Sequence, residues 1–542
     1  MEEHSMKLQS QASPTTRTKS TSSPWAPLRE AVFLSLWLAT LISNVGAWMQ
    51  SVGAAWLMSS LTPSPLWIAL VQSAASLPIF LFAMPAGALA DIVSRRLLLL
   101  LSNMLSLFAA LGLSISNLGN HTSPSVLLAF TFAVGLGQAL AGPAFQAIVS
   151  ELVPQSELVA AVSLNSVGVN LARAVGPALG GLVLARWGAG INFFVNALSF
   201  LAVLLVLIRW RESTKKPVLP AERFAGAIRA GVRFLRYSPE LQTLAIRTGA
   251  FVLSASALWA LLPVMVSEGN RGPSAYGILL GALGAGALIG GAILPSMRRR
   301  LSLDTLVGAA TAAFGIATLG SALFRSFPIL IILMLLGGGG WIALVSSLNV
   351  ATRMVVPTWV QARAIAVYLL VLQGGIAVGS VVWGVVATHY GVRSALICAA
   401  VALLLSVFLA FRYSLQKGEG LDYALAVEWP NPSFAHDTPK QTTPVLVTVE
   451  YEIDVLRLSE FRARMAKLEI FRRRNGALQW GLFADPQSPG KYLEEYLVES
   501  WLEHQRQHQR ITVSDQQLHD QIWALHIGID PPRVIHFFAE EY

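Results

Sequence analysis

The chain has 542 residues, 54% of them hydrophobic and only 13% charged, with a net charge of +9 and a mean hydropathy of +0.57. Soluble domains carry roughly a quarter of their residues as charges, so most of this chain does not face water. The single cysteine, Cys398, excludes an intrachain disulfide, and the basic residues cluster between hydrophobic runs rather than along one helix face, which argues for membrane topology and against nucleic acid.

Residues 1–28 are polar and rich in Ser, Thr and Pro, and read as a disordered cytoplasmic N-terminus without a cleaved signal peptide. A bilayer core about 30 Å thick takes about 20 apolar residues per helix. The first bundle, 29–210, then holds spans at Ala31–Ser59, Leu66–Ala90, Leu97–Ser116, Val126–Val149, Val159–Ala185 and Asn192–Ile208. Residues 211–239 form a basic cytoplasmic loop. The second bundle, 240–413, holds Leu241–Val266, Ala275–Leu294, Leu303–Phe324, Ile329–Val350, Ile365–Thr388 and Ser394–Phe411. Alternate loops carry nearly all Lys and Arg, the opposite ones only Arg186, Arg271, Arg325 and Arg393. That asymmetry places both termini in the cytoplasm.

The halves repeat. Val153-Pro154, Gly176, Gly181 and Trp187-Gly188 recur as Val356-Pro357, Gly379, Gly384 and Tyr390-Gly391, all offset by 203 residues (379 minus 176). Parallel six-helix repeats are how one class of transporters is built.

Three stretches carry candidate chemistry. After span two, Gly87, Asp91, Arg95 and Arg96 lie in Gly87-Ala88-Leu89-Ala90-Asp91-Ile92-Val93-Ser94-Arg95-Arg96. A carboxylate there can meet the positive end of a helix, worth about 0.3–1 kcal/mol when exposed; the bland alternative is a solvated loop. Span one interrupts its apolar run with Asn44, Trp48 and Gln50, which either line a substrate cavity or hydrogen-bond between helices. Span five holds Asn165, Asn170 and Arg173, then Gly176-Pro177-Ala178-Leu179-Gly180-Gly181, whose Gly176, Pro177, Gly180 and Gly181 permit close helix contact and a bend. Arg173 is the one charge near mid-membrane, a placement costing about 2.5–3.5 kcal/mol. It reads equally as a ligand for an acidic substrate group or as a donor to carbonyls freed near Pro177. No Asp or Glu lies near a midplane, so proton coupling would fall to Asp91, Glu151 or Glu268, and uncoupled efflux stays open.

The post-span-two loop resembles the signature of the major facilitator superfamily, departing from it at Ile92 and Ser94, and Gly176–Gly181 resembles the motif of its antiporter branch. From Leu36 to Trp210 the chain resembles the enterobactin-exporter-like branch, or transmembrane secretion effector family, most specifically over Leu164–Gly181. The resemblance implies twelve transmembrane helices in a 6+6 major facilitator fold. It also implies export of small organic molecules of the siderophore or hydrophobic-drug class, and an Asp91 latch reaching span eleven near Gln361.

Residues 414–444 read as a linker. Beyond it, 445–542 alternate as a strand at Val445–Tyr451, a helix at Leu458–Arg474, a hairpin of Ala477–Ala484 and Tyr492–Ser500, one or two helices across Trp501–Leu525, and a strand at Val534–Ala539. That order is ferredoxin-like and resembles the small antibiotic-biosynthesis-monooxygenase-like domains, which implies pairing into dimers. His504 and His508, near His519 and His526, raise a metal reading, but no acid or cysteine completes a ligand set and Gln505, Arg506, Gln507 and Gln509 read as a wet helix face; no metal and no cofactor are expected. The whole reads as a secondary exporter in a bacterial inner membrane, with a small-molecule substrate, lipid around it, no nucleic-acid partner and no catalytic residues. The rival is a membrane-tethered enzyme or ligand sensor acting through the C-terminal domain. The absence of a phosphate-binding G-x-x-x-x-G-K-[ST] loop disfavours a primary pump.

Overall fold

In hydrocarbon every backbone N–H must be bonded within its own segment, so apolar runs of this length form helices. The computed structural model describes residues 23–210, 235–357, 360–415, 443–509 and 511–540; the N-terminal tail up to 22, most of the central loop and most of the linker lie outside them. The membrane helices are α1 (Ala31–Leu61), α2 (Pro65–Ile92), α3 (Arg95–Leu118), α4 (Pro124–Leu152), a continuous Leu158–Arg209, α7 (Pro239–Glu268), α8 (Pro273–Arg300), α9 (Leu303–Leu323), α10 (Phe327–Met354), α11 (Gln361–Tyr390) and α12 (Val392–Ser406), which a short α13 (Leu409–Arg412) extends. Proline opens α2, α4, α7 and α8, where its missing N–H costs nothing. The side chains of Ser94, Ser123 and Ser302 cap α3, α4 and α9.

Eleven described helices are long and apolar enough to cross a bilayer, and the 52-residue Leu158–Arg209 is two crossings: at Gly188 the backbone turns to φ +81°, ψ 176°. Residues 158–187 are α5 and 189–209 are α6, giving twelve spans. Gly391, 203 residues later, makes the same turn between α11 and α12, with φ +84° and ψ 156°. Only glycine adopts that left-handed, extended combination without strain, so the repeat in the sequence is a repeat of backbone geometry.

The packing repeats too. Gly176 of α5 lies on Val45 and Trp48 of α1, and Gly379 of α11 lies on Leu253 and Ser256 of α7. The bundles meet along two matching helix pairs, α5 on α8 and α2 on α11. Because α2 starts where α11 ends, the first and last helices begin and finish on one face, here called the terminal face.

The C-terminal domain forms β1 (Val445–Glu452), α14 (Leu458–Asn475), β2 (Ala477–Ala484), β3 (Lys491–Val498), α15 (Trp501–Gln509), α16 (Val513–Trp523) and β4 (Arg533–Phe538). The antiparallel sheet runs β2-β3-β1-β4, the ferredoxin-like order. Tyr451, Phe461, Met465 and Leu468 fill the core between sheet and helices.

Candidate substrate pathway and gate

Arg173 sits midway along α5, where hydrocarbon on either side makes an unbonded guanidinium expensive. Its guanidinium lies 5.7 Å from the Trp48 ring of α1, and its Nε is buried with no hydrogen-bond partner among the described residues. Cation–π contact offsets about 2 kcal/mol of that cost when desolvated, and it leaves the Nε–H unsatisfied among the described residues. Trp48 in turn is 6.1 Å from Trp259 of α7, so the contact bridges the two bundles. The chain of rings continues through Trp341, 5.7 Å from Trp259, to Phe251 and Phe314. The Trp259 indole N–H, also buried, finds no partner among the described residues.

The remaining cavity residues divide. Asn44 is half-buried on α1. Asn170 donates to the Ser166 carbonyl at 2.9 Å, one turn back on its own helix. Gln50 is 4% exposed and accepts a hydrogen bond from Asn196 of α6, while Asn192 of α6 donates to the Met49 carbonyl at 2.8 Å. Gln50 therefore joins α1 to α6 inside one bundle, the interhelical use of the amide rather than the cavity use. Asn196 is the partner the sequence reading lacks, and an amide inside an apolar span is the signal for it. Nothing in the sequence marks Trp259 or Trp341, because tryptophan in a membrane helix is ordinary.

The glycine string of α5 faces two ways. Gly176 and Gly180 lie against Trp48 and Met49 of α1, whereas Gly181 faces Pro273 and Gly277 of α8. A Cβ on Gly277 would stand 2.6 Å from the Pro177 carbonyl oxygen, and one on Gly281 would meet Ala174 and Ala178. On the matching seam, the Thr388 hydroxyl of α11 accepts from the Leu66 amide at 3.2 Å and Ser73 of α2 donates to the Ala377 carbonyl at 2.7 Å; Gly374 lies on Phe80. These approaches lie between the middle of the helices and the face opposite the termini.

On the terminal face, Arg95 ion-pairs with Glu151 at the end of α4. Arg96 donates to the Leu207 and Ile208 carbonyls at 2.9 and 2.7 Å, capping α6. Among the described residues a Cβ on Gly87 would meet nothing within 4 Å. Asp91 occupies the last turn of α2, and its side chain lies outside the described residues. The helix it would reach, α11, starts at Gln361 with Val360 as N-cap and no side-chain cap bond. In the second bundle Arg247 pairs with Asp304, which also accepts from Ser414 at 2.8 Å and from the Leu415 amide. Each of these contacts holds helices within one half.

In the C-terminal domain the expected wet face of α15 is partly inward. His504 is 1% exposed, its Nε2 lying 3.0 Å from His536 Nε2 and 3.1 Å from His508 Nε2. His526 stands apart, accepting from the Glu452 amide at 2.9 Å. No group of three or more His, Cys, Asp or Glu among the described residues fits a metal ion. Below them Glu494, fully buried, binds Arg472, Tyr451 and Trp480. Burial, then the neighbouring imidazoles His508 and His536, pushes His504 down to about 3, and burial, with Arg472 and His536, pushes His508 down to about 4. Both are neutral when folded, whereas an unfolded imidazole titrates near about 6.5. Below that value the unfolded chain takes up protons the folded domain refuses, so stability falls with pH by about 1 kcal/mol per unit per imidazole. Hydrogen exchange on the full-length protein checks this: amides of β1 and β3 lose protection from pH 7 to pH 5, and His504→Leu makes that loss shallower. Equal protection at both pH values contradicts it.

Comparison with known proteins adds the lineage. A family model described as transmembrane secretion effector matches residues 22–542, including the C-terminal domain. The chain belongs to the transmembrane secretion effector family. Among proteins similar to it, the staphyloferrin A transporter of Staphylococcus aureus is 26% identical over 54% of this chain and 74% of that protein. The multidrug efflux pump Tap of Mycolicibacterium fortuitum is 25% identical over 69% and 93%, and the enterobactin exporter EntS of Escherichia coli is 27% identical over 58% and 75%. The fold is shared with a solved bacterial homologue of the human lysosomal transporter Spinster, inward-facing and unoccupied (TM-score 0.60, 16% identity, 72% of this chain and 98% of that one). An inward-facing bacterial homologue of the iron transporter ferroportin is also similar (TM-score 0.53, 17% identity, 70% and 98%). This secretion effector is thus a multi-pass membrane transporter of the major facilitator fold for small molecules.

Proposed function

We propose that this transporter exports small organic molecules of the siderophore or hydrophobic-drug class across a bacterial inner membrane, with both termini cytoplasmic, by proton-coupled alternating access. One observation carries the reading: an under-bonded cation, Arg173, lies on a tryptophan pair that bridges the bundles. A substrate entering there satisfies donors the protein leaves open and sits between the two bodies that must move. The glycine seams on the face opposite the termini support a closed outer gate, so that rocking of the bundles exposes the site to either side in turn. The relatives named for siderophores and drugs support the substrate class.

The test is accumulation in a knockout strain, against siderophores and drugs, with and without an uncoupler. Export predicts that expression lowers intracellular substrate and that the uncoupler cancels the effect. Insensitivity to the uncoupler removes proton coupling, and unchanged accumulation of every compound removes export. Truncation after Lys417 separates a carrier from a membrane-tethered enzyme or sensor: efflux that survives supports the carrier.

Asp91 is the gating and coupling acid in this reading. Its place at the end of α2 and the uncapped start of α11 support a carboxylate-to-dipole latch across the seam. Glu151 is already paired with Arg95. Asp91→Asn therefore shifts the population toward the inward-open state, seen as about threefold faster labelling of cysteines placed on the terminal side of α5. Unchanged labelling counts against the latch.

A further inference from the structure

On the face opposite the termini, the α7–α8 loop, the α9–α10 connection and the first turn of α12 enclose a cavity of about 170 Å³. Arg271, Arg325 and Arg393 all line it, and Glu268 is the one acid among its lining residues. These are three of the four basic residues in the loops where Lys and Arg are otherwise missing. Arg271 donates to the Arg325 carbonyl and lies 5.5 Å from the Phe327 ring, which fixes its guanidinium at the rim. Among the described residues none of the three arginines forms an ion pair. Three like charges against one carboxylate leave a net positive cavity that repels itself until an anion enters.

Guanidinium forks match the oxygens of a phosphate. The place of the cavity also fits a lipid headgroup, because it lies at the end of the membrane helices where phosphates lie. Its wall includes Phe324, half-exposed at the end of α9. From there α9 and α12, packed on each other, carry exposed Ile316, Leu323 and Val401, a surface for acyl chains. We propose that this cavity binds the phosphate of an anionic phospholipid in the leaflet away from the termini. The site lies within the second bundle, apart from the Arg173–Trp48 region, so it does not depend on the export reading.

The test uses the full chain in detergent, with native mass spectrometry and melting curves. The probes are phosphatidylglycerol, phosphatidylcholine with the same acyl chains, and inorganic phosphate. Phosphatidylglycerol is expected to bind at least tenfold more tightly than phosphatidylcholine. Arg325→Gln combined with Arg393→Gln, two exposed side chains outside the packed core, is expected to remove most of that preference. Glu268→Gln is expected to act in the opposite direction, tightening binding about threefold by removing the opposing carboxylate. That rise is readable even if the double variant folds poorly. Equal binding of the two lipids, or a preference untouched by both variants, overturns the proposal. Protection by inorganic phosphate equal to that by phosphatidylglycerol also overturns it, and assigns the cavity to a free anion.

Discussion

Gly181→Leu is expected to cut efflux by roughly tenfold or more while leaving each bundle folded. A Cβ at position 181 stands 2.8 Å from the Pro273 carbonyl oxygen and 2.9 Å from the Gly277 Cα. Both obstacles are backbone, so no side chain can swing aside, and α5 and α8 must separate for the leucine to fit. Overpacking of this kind costs about 1–3 kcal/mol in a well-packed site. Here it falls on a seam between bundles, so the state that needs the seam closed is the one destabilised. The control is Gly142→Ala in α4, where a Cβ meets nothing within 4 Å among the described residues and helix propensity favours alanine by about 1 kcal/mol. Initial efflux rates and size-exclusion profiles measure the comparison. Wild-type transport by Gly181→Leu would mean that the seam does not have to close.

Arg173→Gln has the second large effect, and its direction depends on the substrate. A guanidinium with a buried, unpartnered Nε resting on Trp48 is a donor awaiting an acceptor, and a charge-assisted hydrogen bond to a substrate carboxylate or phenolate is worth about 1.5–3 kcal/mol. Acidic substrates should lose roughly ten- to a hundredfold in apparent affinity, since each 1.4 kcal/mol is about tenfold. Neutral substrates, which never used that bond, should keep their transport, and would gain slightly if removing the membrane-buried charge relaxes α5. Substrate-dependent KM values check the split. Equal loss of both classes assigns Arg173 to the structure of the helix.

The sequence alone carried a good deal of this protein. The lengths of the apolar runs, the Lys and Arg asymmetry and the 203-residue offset gave twelve spans in two related halves, because hydrocarbon admits only internally bonded helices and each crossing has one length. The β-α-β-β-α-β order of the C-terminal domain was legible for a similar reason: strand and helix periods differ, and β3 alternates between buried and more exposed residues along its length. Tertiary structure decided the partners. Gln50 and Arg173 are both polar groups in apolar helices, and nothing in their local sequence says that one meets Asn196 of α6 while the other rests on a tryptophan ring. The glycines of α5 looked like one packing motif, yet Gly176 and Gly180 serve a contact inside the first bundle and Gly181 one between bundles. The glutamines and arginine of α15 read as a wet face and His504 and His508 raise a metal reading, yet in the fold His504 is turned against His536 of β4 and kept neutral. Sequence fixes which residues share a helix face; which neighbour that face meets depends on how the helices rotate and pack, and that is set by contacts between residues far apart in the chain.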